Sequence, residues 1–333
     1  MAVFLLSKVF MRDFGEPFRT ACAQARITPE VVHLPEEPGV PLDPAVAARV
    51  EVAYLTRDWR YSADAYGKFR DAMFAGPAVK WVHFMSTGID QHPFVPRLVG
   101  QGTKLTTSAG TNGEPVAFTA IASLLMLARK FPVWLDAQRR RAWEPMRGEA
   151  VPQDVRGQTL LVVGMGHIGA TVARFAQALG MHVIGIRRSA KQPGDPVHEM
   201  HALAALPELL PRCDWIVLAC PLTAETRRIV NAETIAKMKP GAGFINVARG
   251  GVMDQAAVIE GLKSGQIGWA HLDVFEQEPL PADSPLWDLP NVILTPHNAG
   301  ASAGNDRRAA ELFVANIPLW ARGETLPNEF ALE

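Results

Sequence analysis

Short apolar runs alternate along the chain with segments whose apolar residues recur at helical spacing. A short apolar run bounded by turn residues is typical of a buried strand, and the intervening segments are typical of amphipathic helices. The first run predicts a strand over residues 3–9, followed by a helix over 17–25, and the last segment predicts a helix over 305–322. The alternation predicts an α/β fold of parallel sheets with flanking helices. A length of 333 residues favours two domains over a single core.

The most informative stretch covers residues 159–189, where a strand, a glycine-rich turn, a helix and a second strand follow one another. Within a complete βαβ unit, the spacing G-x-G-x-x-G predicts dinucleotide binding. The first glycine permits a tight turn, the second lets the backbone approach the pyrophosphate, and the third lets the helix pack on the strand. The phosphates would lie at the helix N-terminus, near His167 and Ile168. The alternative is a glycine-rich turn in an unrelated parallel sheet. The three glycines are Gly164, Gly166 and Gly169.

The end of the second strand carries Arg187, Arg188 and Ser189, where an acidic residue would bind the ribose hydroxyls of NAD. Guanidinium groups and a hydroxyl can hold a 2′-phosphate through charge-assisted hydrogen bonds. The sequence therefore favours NADP(H), with NAD(H) left open. The alternative interpretation is a solvated, charged loop.

Three polar side chains follow successive predicted strands of the same sheet: Arg249, Glu278 and His297. The carboxyl ends of parallel strands share one edge, so these residues are expected beside the cofactor as a catalytic set. An earlier strand, residues 80–85, ends in the turn formed by Ser86, Thr87 and Gly88. From its residues alone, this turn is equally consistent with a ligand site and with an ordinary βα connection.

The composition narrows the class of protein further. A net charge of −1 gives no reason to expect nucleic acid as a partner. The three cysteines show neither disulfide nor metal-ligand spacing, so inert thiols, no metal site and a cytoplasmic location are expected. The N-terminus lacks a basic leader and a cleavage site, and no apolar run approaches the ~20 residues of a membrane span.

Residues 112–130 predict a long apolar helix, which we interpret as a bridge between domains. Residues 133–148 follow it and are rich in arginine and tryptophan, Trp143 among them. Such residues concentrate at interface anchors, so this segment is a candidate dimer arm. The alternative is a solvated helix with packing aromatic residues.

The motifs VVGMGHIG, CPLTAETR, INVARGG, LDVFEQEPLP and LTPHNAG, in this order, resemble those of the D-isomer-specific 2-hydroxyacid dehydrogenases over nearly the whole chain. The resemblance implies two Rossmann-like domains, with the cofactor domain inserted in a discontinuous substrate domain. The substrate domain would comprise residues 1–102 and 298–333, and the dinucleotide-binding domain residues 103–297.

The resemblance also implies residue roles. Arg249 would bind the substrate carboxylate, His297 would be the acid/base and Glu278 its partner. The turn of Ser86, Thr87 and Gly88 would bind the substrate carboxylate through backbone N–H groups. Asp273 would lie on the nicotinamide carboxamide side. The other expected cofactor contacts are Cys220, Pro221 and Ala248.

Two positions depart from the family pattern. Phe118 and Thr119 stand where the family often has Glu-His, and Arg187 replaces the usual aspartate at the ribose. In the second departure the chain is similar to the NADP-using glyoxylate/hydroxypyruvate reductases.

From the resemblance and the arginine-rich loop we expect a homodimer that reduces a small 2-keto acid to its D-2-hydroxy acid with NADPH. The alternatives are a dinucleotide-sensing corepressor or binding protein and a phosphite- or formate-type oxidase. The residues leave open which 2-keto acid is used and which direction is physiological.

Overall fold

The computed structural model describes residues 1–76, 79–89 and 92–330. The chain forms two compact units, one comprising Met1–Asn112 with Ser302–Glu333 and the other Gly113–Ala301. Each unit is built on one parallel sheet. The predicted α/β fold with two parallel sheets is thereby confirmed.

The first unit contains a five-stranded sheet of order β2-β1-β3-β4-β5. Apolar side chains on both faces of this sheet form its core. Its elements are β1 (Ala2–Leu5), α1 (Lys8–Gln24), β2 (Pro29–Val32), α2 (Pro44–Ala47), β3 (Val52–Leu55), α3 (Arg57–Arg60), α4 (Ala63–Ala72), β4 (Trp81–Phe84), α5 (Val95–Gly100) and β5 (Lys104–Thr107), with the C-terminal helix Asn305–Ala321 packed against α1.

The first strand is shorter, and the first helix longer, than the sequence predicts. The strand ends at Leu5 because the Ser7 hydroxyl caps a helix by accepting the N–H of Phe10 at 3.1 Å. The helix then continues through Pro17 to Gln24. Proline favours the first turn of a helix, which is why the sequence suggested a helix beginning at that residue.

The second unit contains a seven-stranded sheet of order β12-β11-β10-β9-β6-β7-β8. The order reverses between β6 and β9, and such switch points bind ligands outside the carboxyl ends of the strands. Its elements are α6 (Gly113–Ala128), α7 (Phe131–Arg139), β6 (Thr159–Val163), α8 (His167–Ala178), β7 (His182–Ile186), β8 (Glu199–His201), α9 (Leu206–Leu209), β9 (Trp215–Leu218), α10 (Ala232–Ala236), β10 (Ala242–Asn246), α11 (Gln255–Ser264), β11 (Ile267–Leu272) and β12 (Val292–Leu294); the C-terminal helix named above is α12.

The chain crosses between the units later than expected, after residue 112 instead of 102, and returns after 301 instead of 297. The reason is that β5 pairs with β4 in the first sheet, through Trp81 and Lys104 among others. Helix α6 was expected to bridge the domains, but it is a core helix of the second unit. Its Leu124 and Leu127 are fully buried in the cluster that covers β6.

The segment expected as a dimer arm consists of α7 and residues without regular structure as far as 147. The Trp143 side chain is 96% exposed. Arg140 donates to Asp136 and Glu144, each at 2.9 Å, which holds this part of the segment together. Across the described residues, no single helix is long and apolar enough to cross a membrane, although α6 and α7 together, bent by 70°, meet the length and composition criteria.

Candidate active site at the strand ends of the second unit

The glycine-rich turn between β6 and α8 is built by close backbone contacts. Gly164 has φ of +98°, and a Cβ there would lie 2.6 Å from the backbone of Cys220. A Cβ on Gly169 would overlap the carbonyl oxygen of Gly164. A Cβ on Gly166 would instead point into open space at the start of α8. The turn thus offers an uncovered helix N-terminus of the kind that binds a pyrophosphate, and it fits a dinucleotide.

Arg187 is held by its own loop. Its Nη1 and Nη2 donate to the two carboxylate oxygens of Asp195 at 2.8 and 2.6 Å, and Nη2 and Nε also donate to the carbonyls of Ala190 and Ser189. The Arg187 side chain is only 19% exposed. This guanidinium also holds the pKa of the Asp195 carboxyl below its usual range. Arg187 therefore fixes the shape of the loop that follows β7.

Arg188 and Ser189 face solvent on the same loop. The Arg188 side chain is 76% exposed, and its nearest ionic partner is Glu225 at 3.4 Å. Such an exposed ion pair contributes little and exchanges readily for a stronger anion. Of the three residues expected at a 2′-phosphate, these two are accessible to a ligand, and the binding role expected of all three stays a prediction.

His297 and Glu278 meet as the sequence predicted. His297 Nδ1 lies 2.7 Å from Glu278 Oε2, and Phe275 N–H donates to Glu278 Oε1 at 3.0 Å. A carboxylate accepts on both oxygens, so the proton of this pair is on Nδ1 of His297. The bond orients the imidazole and leaves Nε2 for a reacting group. The His297 side chain is half-exposed, which gives that nitrogen access.

Arg249 follows β10, on a loop that packs tightly against the segment carrying Glu278. A Cβ on Gly250 would overlap the Phe275 carbonyl, so only glycine allows this approach. Buried Asn246, which the sequence did not single out, accepts the N–H of Ala248 at 3.0 Å and donates to the Arg249 carbonyl at 3.2 Å. The Arg249 guanidinium donates to the carbonyl of Ala248 at 2.9 Å. A guanidinium has five N–H donors, so this bond leaves donors for a carboxylate.

Asp273, at the end of β11, is almost fully buried and bonds to the loop of His297. One carboxylate oxygen, Oδ1, accepts from Thr295 Oγ1 at 2.6 Å and from the N–H groups of Asn298 and Ala299 at 2.8 and 3.0 Å. Its carbonyl accepts the N–H of His297 at 2.8 Å. In this structure Asp273 anchors the loop that carries His297, a contact that the sequence did not indicate.

The turn after β4 lies in the first unit. The Ser86 carbonyl accepts the N–H of Ser108 at 3.0 Å, and the Thr87 hydroxyl donates to Asn112 Oδ1 at 2.8 Å. The buried Ser86 Oγ has no hydrogen-bond partner among the described residues. The Thr87 side chain is thus used to hold the turn.

Phe118 and Thr119, the first of the two departures from the family pattern, both contact other parts of the second unit from α6. The Phe118 ring contacts that of Phe175 with centroids 5.3 Å apart. Thr119 Oγ1 donates to the Ala299 carbonyl at 2.9 Å, a second anchor for the loop beyond His297.

Cys22, Cys213 and Cys220 are buried free thiols. Burial raises the pKa of Cys220 to about 11, so this residue beside Gly164 acts as a small apolar group. Among the described residues, no group of three or more histidine, cysteine or acidic side chains is arranged to hold a metal ion.

Comparisons with known proteins identify the family of the chain. Residues 121–299 match the family model "D-isomer specific 2-hydroxyacid dehydrogenase, NAD binding domain". A glyoxylate reductase of Korarchaeum cryptofilum is 38% identical over 264 residues, 76% of each chain. A D-3-phosphoglycerate dehydrogenase of Methanocaldococcus jannaschii is 35% identical over 260 residues, and the chain spans only 49% of its length.

Among solved structures, a D-isomer specific 2-hydroxyacid dehydrogenase from Xanthobacter autotrophicus Py2, crystallised in complex with NADPH and MES, is 33% identical. The match covers 99% of this chain and 98% of that one, with a TM-score of 0.73. The glycine turn, the strand-end residues and these relatives lead to one assignment: the chain belongs to the D-isomer specific 2-hydroxyacid dehydrogenase family of NAD(P)-dependent oxidoreductases.

Proposed function

We propose that the protein reduces a small 2-keto acid, of the glyoxylate or hydroxypyruvate type, to the corresponding D-2-hydroxy acid with NADPH. The observation that carries this proposal is the His297–Glu278 pair, 2.7 Å apart, at the strand ends of a sheet that also presents Arg249. The names of relatives support the substrate class, because glyoxylate reductases of three organisms are among them.

In the proposed reaction, His297 is the general acid. When a hydride reaches C2 of the keto acid, the carbonyl oxygen takes up a proton, which His297 delivers from Nε2. Glu278 accepts the Nδ1–H bond and so holds the imidazole in the orientation that leaves Nε2 for the substrate. Arg249 binds the carboxylate and fixes C2 for attack.

The nicotinamide cofactor would supply the hydride. The turn of Gly164, Gly166 and Gly169 would hold its pyrophosphate, and Arg188 with Ser189 would contact the 2′-phosphate. The Arg187–Asp195 ion pair shapes that loop and so supports the phosphate contact indirectly. We propose a preference for NADPH over NADH on this basis. The NADPH bound to the Xanthobacter autotrophicus relative supports the same choice.

The test is a panel of 2-keto acids that includes glyoxylate, hydroxypyruvate, pyruvate and 3-phosphohydroxypyruvate, each assayed at 340 nm with NADPH and with NADH. We expect the highest kcat/KM for glyoxylate or hydroxypyruvate with NADPH. Dinucleotide binding without turnover of any keto acid would favour a sensing protein instead. A higher kcat/KM for 3-phosphohydroxypyruvate than for glyoxylate or hydroxypyruvate would overturn the proposed substrate class. A higher kcat/KM with NADH than with NADPH would overturn the proposed cofactor preference.

A further inference from the structure

A chain of hydrogen bonds runs from the interior of the second sheet to the loop of His297. His271 lies on β11 with a fully buried side chain, and its Nε2 is 2.9 Å from the hydroxyl of Thr295. That hydroxyl is 2.6 Å from Oδ1 of Asp273. His271 is a polar residue inside the otherwise apolar run of β11, where a buried polar side chain needs hydrogen-bond partners.

The proton positions in this chain follow from donor counting. Asp273 Oδ1 already accepts two backbone N–H groups, so the Thr295 hydroxyl, which has one hydrogen, donates to it. The same hydroxyl must then accept from His271, so His271 carries its proton on Nε2. Its Nδ1 is buried with no partner among the described residues, which agrees with an unprotonated ring nitrogen there.

The loop that receives these bonds is strained. His297 has φ of +51°, a left-handed conformation that costs a non-glycine residue energy and persists only where the surroundings hold it. Asp273 holds His297 and the two residues after it: its carbonyl accepts the His297 N–H, and its Oδ1 accepts the N–H groups of Asn298 and Ala299. The position of the His297 ring therefore depends on the orientation of the Asp273 carboxylate.

We propose that His271 and Thr295 are positioning residues for His297: the bond from His271 Nε2–H to Thr295 directs the Thr295 hydroxyl proton to Asp273, which orients the carboxylate that holds the catalytic turn. The inference rests on the proposed role of His297 as proton donor. Neither His271 nor Thr295 contacts a reacting atom in this mechanism. Their effect is on the rate of the chemical step and on the order of residues 297–299.

The experiment compares two matched pairs of variants. His271→Met removes the donor at similar size, whereas His271→Gln keeps an N–H donor at a similar reach. Thr295→Val removes the hydroxyl, whereas Thr295→Ser keeps it. We measure kcat, KM and the Kd for NADPH, together with hydrogen exchange of the amides of residues 297–299 by mass spectrometry or NMR.

We expect His271→Met and Thr295→Val to lower kcat about tenfold or more, since each loses a bond coupled to a charged group. The Kd for NADPH should change less than about twofold, amide exchange at 297–299 should accelerate, and the Gln and Ser variants should restore both readouts. The inference would be overturned if His271→Met kept wild-type kcat and wild-type amide exchange. It would also be overturned if neither His271→Gln nor Thr295→Ser restored kcat and exchange. If His271→Met does not fold, the Thr295 pair decides by the same criteria.

The design separates this inference from the proposed function. Wild-type protein that reduces no 2-keto acid means that the proposed function fails, while amide exchange still tests the positioning role. A different outcome would overturn only the positioning role: the wild type is active and His297→Asn is inactive, but Thr295→Val and His271→Met keep wild-type kcat and amide exchange.

Discussion

Two buried histidines make the stability of this protein depend on pH. His83 is fully buried in the first unit, where its Nδ1 and Nε2 bond to the hydroxyls of Thr106 and Ser108 at 2.7 and 3.1 Å. Burial lowers the pKa of His83 to about 3 and that of His271 to about 4. In the unfolded chain both side chains titrate near ~6.5.

The sign follows from proton linkage. Below pH ~6.5 the unfolded state binds more protons than the folded state, so the free energy of unfolding falls as the pH falls. The contribution of each histidine to the free energy of unfolding is fully present above pH ~6.5. It is lost progressively as the pH falls toward 4 for His271 and toward 3 for His83. Between pH 7.5 and 5.5 each histidine should lower the free energy of unfolding by about 1.3 kcal/mol. At pH 5.5 its side chain is ~90% protonated in the unfolded chain and stays neutral in the folded chain.

The assay is urea unfolding at pH 7.5 and 5.5, followed by tryptophan fluorescence and circular dichroism. Carboxylates have unfolded values near ~4, so they contribute little in this window. His83→Gln and His271→Gln remove one titrating group each and keep a polar side chain. Each should reduce the fall in stability by about 1.3 kcal/mol, and the effect should appear in the unit that carries the residue if the units unfold separately. A variant whose stability falls as much as that of the wild type would refute the reasoning for that histidine.

Further predictions concern the proposed site. His297→Asn should lower kcat by ~10²–10⁴-fold and leave the Kd for NADPH unchanged by fluorescence titration; more than about a tenth of wild-type rate would remove His297 from the mechanism. Glu278→Gln should lower kcat in the same assay, because an amide binds Nδ1 more weakly than a carboxylate and can turn its NH₂ toward the ring; an unchanged kcat would exclude this orienting role. Arg188→Ser should weaken NADPH binding by ~1.5–3 kcal/mol and NADH binding much less, whereas an equal loss for both would exclude a phosphate contact. Light scattering should show a homodimer, with Trp143→Ala weakening it; a wild-type monomer at working concentration would exclude the proposed arm.

The sequence predicted the strand-end residues well because parallel topology alone places the carboxyl ends of strands at one edge. Topology placed Glu278 and His297 at that edge, although 19 positions separate them along the chain, and the family resemblance implied that they are partners. Glycine spacing likewise indicated the turn at Gly164, since close backbone contact permits no other residue there.

The contacts that hold those residues were less accessible from the sequence. Asp195 reaches Arg187 because the intervening loop folds back, and the hydrophobic periodicity of the sequence does not predict the conformation of such a loop. His271 did leave a signal, as a single polar residue in an apolar strand. Its partner Thr295, however, directly follows the neighbouring strand β12, so the contact depends on how β11 and β12 are paired. The boundary after residue 112 depends on which sheet β5 joins, and the sequence of a short strand does not indicate which strands it pairs with.

The three buried thiols make the chain suitable for fluorophore attachment without prior removal of native cysteines. With their pKa values raised to about 11 or 12, they present almost no thiolate to a maleimide at neutral pH. A cysteine introduced at exposed Tyr61 in the first unit and another at exposed Trp287 in the second would therefore be the only reactive sites. A donor and an acceptor dye at these positions would report the distance between the two units directly, with and without NADPH.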